Sequence, residues 1–265
     1  MNYQLSEASI WILAKYLELQ KDLENHLKNY ELAHSIDGLY KFLWDDFANW
    51  YVEYLKTDKS QIPFAKELFR QYIITLSPYA PFETEALWQQ FFDEKNLLAF
   101  ETKDPNWSTE IVKTIDLKSA QNFESIIELI SDLRSFRGLF AIDPVNFIDV
   151  VTENSDFSNY HEFIKLVGRA EITTGNIEGL YVIQSSKFSL GINLLDYIKD
   201  IPAEINRTDK IIISLQKQIQ ALENQLANQK FLENAEPEIV SQKHQDLEDR
   251  KLEKQQQQAK LLILK

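Results

Sequence analysis

Residues 75–89 read Thr-Leu-Ser-Pro-Tyr-Ala-Pro-Phe-Glu-Thr-Glu-Ala-Leu-Trp-Gln, and within them one apolar helix stops and another starts across paired prolines. Pro78 lacks a backbone donor and disfavours the helical region for Ser77, so it predicts a helix end there. Pro81, with its locked φ, suits the first turn of the helix that follows. Glu83 and Glu85 then fall near the positive end of a helix dipole, and Leu87, Trp88 and Phe91 are expected to face a bundle.

Upstream of that corner, three stretches carry helical periodicity. Between Leu5 and Tyr30 the apolar set is Leu13, Tyr16, Leu17, Leu23, Leu27 and Tyr30, with Ser6 placed to cap the helix. A second stripe steps by three or four residues through Leu32, Ile36, Leu39, Leu43, Phe47, Trp50 and Tyr54. The third helix, Ile62 to Leu76, turns Ile62, Ala65, Leu68, Tyr72 and Leu76 inward and Arg70 to the other side. Downstream, residues 93–115 read as an irregular connector with a turn at Asp104-Pro105-Asn106 and Trp107 as its anchor. A helix from Ser119 to Arg137 then buries Phe123, Ile126, Ile130 and Leu133.

From Pro144 to Leu195 the texture changes. Phe147 to Val151 reads as a strand, His161 to Val167 as a short helix ended by Gly168, and Leu180–Ile183 with Lys187–Ile192 as a hairpin. Beyond Pro202 the residues Ile201, Ile205, Thr208, Ile212, Leu215, Ile219, Leu222 and Leu226 alternate steps of four and three, a coiled-coil seam. The return helix from Pro237 has a weaker seam, Val240, Leu247 and Leu261, and a polar block at Gln255 to Gln258. The expected architecture is mainly α: a helical bundle over 1–140, a small α+β subdomain over 141–198, and an antiparallel coiled-coil hairpin over 199–265. Because the seam can bury itself against the return helix, the hairpin is expected to behave as a semi-independent lever whose removal after Tyr197 leaves the bundle folded.

Composition bounds what such a chain can do. Its 265 residues are 44% hydrophobic and 12% aromatic, enough for a core, and no run of eighteen apolar residues suggests a membrane span. The opening Met-Asn-Tyr-Gln-Leu-Ser-Glu lacks the regions of a signal peptide, and a cytoplasmic location is expected. The absence of cysteine excludes disulfides and thiolate metal sites. His26, His34, His161 and His244 read as scattered, with no ligand spacing, so no metal site is expected. A net charge of −13 argues against indiscriminate binding to DNA or RNA. Residues 199–265 are neutral, with 11 basic and 11 acidic side chains, so the excess lies in 1–198 and any RNA contact must use local basic patches.

Three motifs carry a family resemblance. The proline corner resembles that of the anticodon-binding helical domain of class I aminoacyl-tRNA synthetases, where Ser-Pro or His-Pro leads into Pro-Phe-x-Thr-Glu-x-Leu-Trp. The segment from Leu39 to Lys56, Leu-Tyr-Lys-Phe-Leu-Trp-Asp-Asp-Phe-Ala-Asn-Trp-Tyr-Val-Glu-Tyr-Leu-Lys, is similar to the valine enzymes' Tyr-x-Phe-x-Trp-Asp-x-Phe-x-x-Trp-Tyr-x-Glu-x-x-Lys. Leu226 to Val240, with Phe231, Ala235 and Pro237, resembles the tip of their C-terminal hairpin, the proline standing one place later here. In the connector, Pro105 precedes Trp107 where the family has Trp-Pro.

The resemblance covers the chain from about Leu5 onward. It implies the tRNA-binding C-terminal part of valyl-tRNA synthetases: a bundle that reads the anticodon end of valine tRNA and an arm on the outer corner of the L. The nucleotide-binding signatures His-x-Gly-His and Lys-Met-Ser-Lys-Ser do not occur, and Met1 is the only methionine. No catalytic residue and no cofactor are therefore assigned to the chain, ATP and magnesium being expected of the missing catalytic part. The alternative is a non-catalytic acidic helical interaction module that pairs through its coiled coil.

Candidate RNA-binding residues follow from type and position. Lys41 and Trp44 lie off the stripe of helix two and can meet a nucleotide by charge or stacking, the alternative for Trp44 being the core. Arg70 lies off the stripe of helix three. Arg134 and Arg137, in Leu-Arg-Ser-Phe-Arg-Gly, resemble the family's Ile-Arg-x-x-Arg step; at that spacing they can straddle a phosphate or pair with carboxylates such as Glu128 and Asp132. Lys210, Lys217 and Lys230 are the basic candidates on the arm.

Overall fold

The computed structural model describes residues 4–92, 98, 107–198, 200–228 and 237–265. They form two compact units, one of residues 1–131, 156–168 and 185–187, the other of residues 132–155, 169–184 and 188–265.

The first unit is helical. α1 (Glu7–Lys28) starts at Ser6, whose hydroxyl accepts from the Ser9 amide, as expected. α2 (Leu32–Lys41) runs on through a π-helical stretch, Phe42–Tyr51, into the short α3 (Val52–Leu55). The π winding explains where the seam departs from a three-and-four rhythm. With i→i+5 bonds the turn widens, and Phe42, Phe47 and Tyr51, spaced by five and four, all become buried. At the start of α2 the expected stripe is not inward: Leu32 and Ile36 are 57% and 52% exposed, while Ser35 and Leu39 are buried. Leu27 and Tyr30 at the end of α1 are likewise exposed, because the chain turns away there.

α4 (Ile62–Leu76) and α5 (Pro81–Phe91) meet at the proline corner. Ala80, before Pro81, leaves the helical region, but Ser77, before Pro78, keeps it at φ −55° and ψ −34°. Its amide bonds the Ile73 carbonyl at 3.0 Å and its hydroxyl the Ile74 carbonyl at 2.9 Å, which outweighs the preference against helix before proline. Trp88 is buried, whereas Phe91 is exposed and meets Phe69 edge-on; Phe92 instead lies tilted against Trp88 at 5.3 Å.

Where an irregular connector was expected, Trp107–Val112 forms α6, and Trp107 lies flat against Phe64 and edge-on to Tyr16. The turn at Asp104 to Asn106 falls outside the described residues. α7 (Ala120–Phe140) contributes its first half to this unit, and Phe123 sits among Trp11, Tyr54, Tyr160 and Phe163 at centroid distances of 5.3–5.6 Å. A buried polar node closes the N-terminal end. Gln61 accepts from the Ser6 amide and the Ser9 hydroxyl, and Ser9 bonds the Tyr51 hydroxyl at 2.6 Å.

The second unit holds a four-stranded sheet of β1 (Ile148–Thr152), β2 (Ala170–Thr174), β3 (Tyr181–Gln184) and β4 (Ser189–Ile192), in the order β2-β1-β4-β3. β1 pairs in parallel with β2, Ile148 opposite Ala170 and Val150 opposite Ile172. α8 (His161–Phe163), continued by a π-helical turn to Gly168, lies between these strands in sequence and belongs to the first unit. β3 and β4 form the expected hairpin. β2 has no counterpart in the sequence reading, since five residues with one exposed end give too short an alternation. Gly191 is required by space, because a Cβ there would stand 2.9 Å from Ile177 and Leu180 side chains.

α9 (Ile201–Leu226) and α10 (Pro237–Leu264) pair as the hairpin. Every expected seam residue of α9 from Ile201 to Leu226 is at least partly covered, Thr208, Leu215 and Ile219 fully. The expected semi-independent lever is tied down at its root. Lys260, 5% exposed, donates to the Leu139 carbonyl at 2.8 Å and to Glu204 at 2.7 Å, and its ammonium lies 5.1 Å from the Phe140 ring centre. The hairpin is thus bonded to the end of α7.

Candidate nucleic-acid interface

The candidate RNA-binding side chains fall in both units. In the first, α1, α2 and the π-helical stretch enclose a groove of about 320 Å³ that Lys15, Lys41, Glu18, Asp22, Asp45 and Asp46 line among others. Burial raises the Asp46 carboxyl to about 6, the nearby Lys15 opposing this and Glu124, Asp45 and Glu18 adding to it. With four carboxylates to two ammonium groups, the groove repels phosphate, so it is no track for an RNA backbone.

Trp44 stands outside the core, 56% exposed, and lies parallel to the exposed Tyr40 with an interplanar angle of 9°. Its π-helical position, two residues past Phe42, turns it away from the buried face. Two exposed parallel rings beside Lys41 offer a surface on which a base can stack. Arg70 is committed otherwise. Its guanidinium covers the Trp88 ring at 5.0 Å and pairs with Glu67 at 3.6 Å, so it fastens α5 to α4.

In the second unit the two arginines of α7 part company. Arg134 is exposed, but Arg137 is 8% exposed and turned inward. Its Nη1 donates to the Asp143 carbonyl at 3.2 Å and its Nη2 to the Arg169 carbonyl, which also accepts from the Ile148 amide. Desolvation lowers the pKa of this guanidinium from its ordinary value. The expected straddling pair is therefore not assembled: Arg137 joins the end of α7 to the starts of β1 and β2, leaving Arg134 on the surface.

On α9, Lys210 and Lys217 are exposed and two turns apart. Arg207, overlooked in the sequence, completes the row: Arg207, Lys210, Ser214 and Lys217 step by three, four and three along one exposed face. Its guanidinium pairs with Glu204 at 3.9 Å. The signal was present, being the seam period shifted by two residues, so the face opposite the seam could have been read for charge. Lys251 and Arg250 on α10 are engaged instead with Glu223, Glu248 and Glu253. Lys230 and the tip motif from Gln229 to Glu236 lie outside the described residues.

The histidines expected to be scattered are not all apart. His26 and His34 face each other across the α1–α2 corner, with Glu31 between them. Among the described residues no helix is long and apolar enough to cross a membrane.

Comparison with known proteins gives the two halves separate counterparts. Residues 9–152 match the family described as the anticodon-binding domain of tRNA ligase, and residues 200–264 match the valyl-tRNA synthetase tRNA-binding arm. The chain is 29% identical to a valine–tRNA ligase of Petrotoga mobilis, over 95% of the chain and 30% of that protein. It is 28% identical to those of Pelagibacter ubique and Fusobacterium nucleatum, over 88% and 91% of the chain and 28% and 29% of the relatives. It thus spans less than a third of the length of these relatives.

Proposed function

This chain belongs to the family of anticodon-binding domains of tRNA ligases, and from that premise we propose that it holds valine tRNA for aminoacylation, as the tRNA-binding C-terminal part of a valine–tRNA ligase in the cytoplasm. The observation that carries the reading is the tandem of two tRNA-binding family matches, residues 9–152 and 200–264, in one chain. The geometry supports a division of labour. The bundle offers stacking rings at Tyr40 and Trp44 beside an acidic groove, suited to bases and not to phosphates. The α9 face offers Arg207, Lys210 and Lys217 in a row, suited to the backbone of a helical stem.

Adenylate formation, with its ATP and magnesium, belongs in this reading to a catalytic part that supplies the nucleotide-binding signatures. This chain contributes position and affinity. The test is binding of transcribed valine tRNA to the purified chain, with a tRNA of another amino acid as reference and valine-dependent pyrophosphate exchange as a second readout. Saturable binding that prefers valine tRNA, without exchange, is expected. Equal binding of both tRNAs would overturn the specificity, and no binding would favour an interaction module that pairs through its hairpin.

A further inference from the structure

Three potential ligand donors meet where α1 turns into α2, a feature that the proposed tRNA-binding role does not invoke. His26 lies in the last turn of α1, Glu31 is the residue preceding α2, and His34 lies in its first turn. His26 Nδ1 is 2.8 Å from Glu31 Oε2 and His34 Nδ1 is 3.9 Å from the same oxygen, and one ligand atom from each residue lies within 4.8 Å of the others. The geometry points to a divalent transition-metal site, zinc being the natural occupant, that binds both imidazoles and the carboxylate and clasps the two helices at their corner.

The backbone presets this arrangement. Only Asn29, Tyr30 and Glu31 separate the helices, Tyr30 adopts the left-handed region at φ 60°, and the Glu31 amide bonds the His26 carbonyl at 2.8 Å. The Ser35 amide in turn holds the Glu31 carbonyl at 3.2 Å. With bonds of about 2.0–2.2 Å, tetrahedral ligands stand about 3.3–3.5 Å apart. The two observed separations bracket that figure, so small side-chain rotations complete the site without moving the backbone. Two imidazoles with one carboxylate suit zinc, nickel or cobalt, whereas magnesium and calcium prefer oxygen-only shells. Asp22, one turn before His26 and lining the same groove as both histidines, adds negative potential that draws a dication.

The inference is independent of tRNA binding, and its test uses zinc chloride titrated calorimetrically into the full chain, with cobalt as a spectroscopic probe. One equivalent is expected to bind at about pH 7.5, with an apparent affinity at least roughly tenfold weaker near pH 5.5, where protons compete for imidazole. His34→Ala, at an exposed position, should keep the native circular dichroism and lose about tenfold or more in affinity, as should Glu31→Gln. His161→Ala should change nothing. Cobalt should give the strong visible absorption of a tetrahedral site in the parent chain only, and zinc should raise its melting temperature. Equal zinc affinity in the parent and a His26→Ala/His34→Ala double variant would overturn the site, showing uptake by scattered carboxylates, and so would absence of binding.

Discussion

The bundle of the first unit and the α9–α10 hairpin are both antiparallel helical structures, yet they are held together by opposite means. In the bundle, rings fill the seams: Phe123 is enclosed by four aromatic neighbours, and Phe42 by Tyr16, Phe47 and Tyr72. In the hairpin, polar side chains sit where apolar ones would pack. Thr208 is fully buried with its hydroxyl unpartnered, Gln257 has a buried oxygen in the same condition, and Lys254 reaches across to Gln216. A buried polar group without a partner costs about 1–3 kcal/mol, and the bundle bears that cost too, at Gln71 and Trp88 for example, but offsets it with ring packing that the hairpin seam lacks. Its firm point is the root, where Lys260 has two acceptors and a ring beneath it. The difference teaches that helical periodicity alone does not measure how rigid a helical pair is; the chemistry at the seam does.

The largest test is to remove one side of the comparison. Cutting after Tyr197 takes away Lys260 and Glu204 and uncovers the Leu139 carbonyl and Phe140, so the melt of the remaining chain should broaden or aggregation should appear. A sharp melt at the parent temperature would restore the view of a free lever. Within the bundle, Phe123→Ala should cost about 3–5 kcal/mol in chemical denaturation, the usual loss for an enclosed ring. A loss below about 1 kcal/mol would mean that the bundle is no better packed than the hairpin.

At the hairpin root, Lys260→Ala removes the donor of the Leu139 carbonyl, leaves Glu204 only its longer contact with Arg207, and should cost about 1.5–3 kcal/mol. Faster hydrogen exchange is expected across α9 and α10, with α1 to α5 unchanged. On the outer face, Lys210→Ala with Lys217→Ala should leave stability unaltered and reduce the salt slope of tRNA binding by about two units. Arg137→Ala should do the reverse, lowering stability with little change in slope, since its guanidinium is spent on carbonyls.

The smallest effect concerns Asp46. Its folded-state pKa of about 6 lies above the usual carboxylate value, so between these values the folded chain holds a proton that the unfolded chain has released. Stability from this group is therefore present at acid pH and lost as pH rises through about 6. Asp46→Asn should add on the order of 1 kcal/mol above pH 7, the screening by nearby solvent being allowed for, and should flatten the profile around pH 6. An unaltered profile would remove the groove's electrostatic cost from the comparison.

The sequence by itself determined the elements whose signals are local. The Ser6 cap, the proline corner, the seam of α9 and the β3–β4 hairpin were legible, because capping, fixed φ and periodic burial act within a few residues. The family resemblance was legible for the same reason, resting on contiguous motifs. Tertiary structure alone decided which off-stripe residues face solvent and what they meet. The π winding turned Trp44 outward, the carbonyls of Asp143 and Arg169 drew Arg137 inward, and the end of α7 captured Lys260. A short turn brought His26 and His34 together from opposite sides of a helix boundary. Each of these depends on partners whose positions are fixed by the path of the chain, and no periodicity within a single helix carries that information.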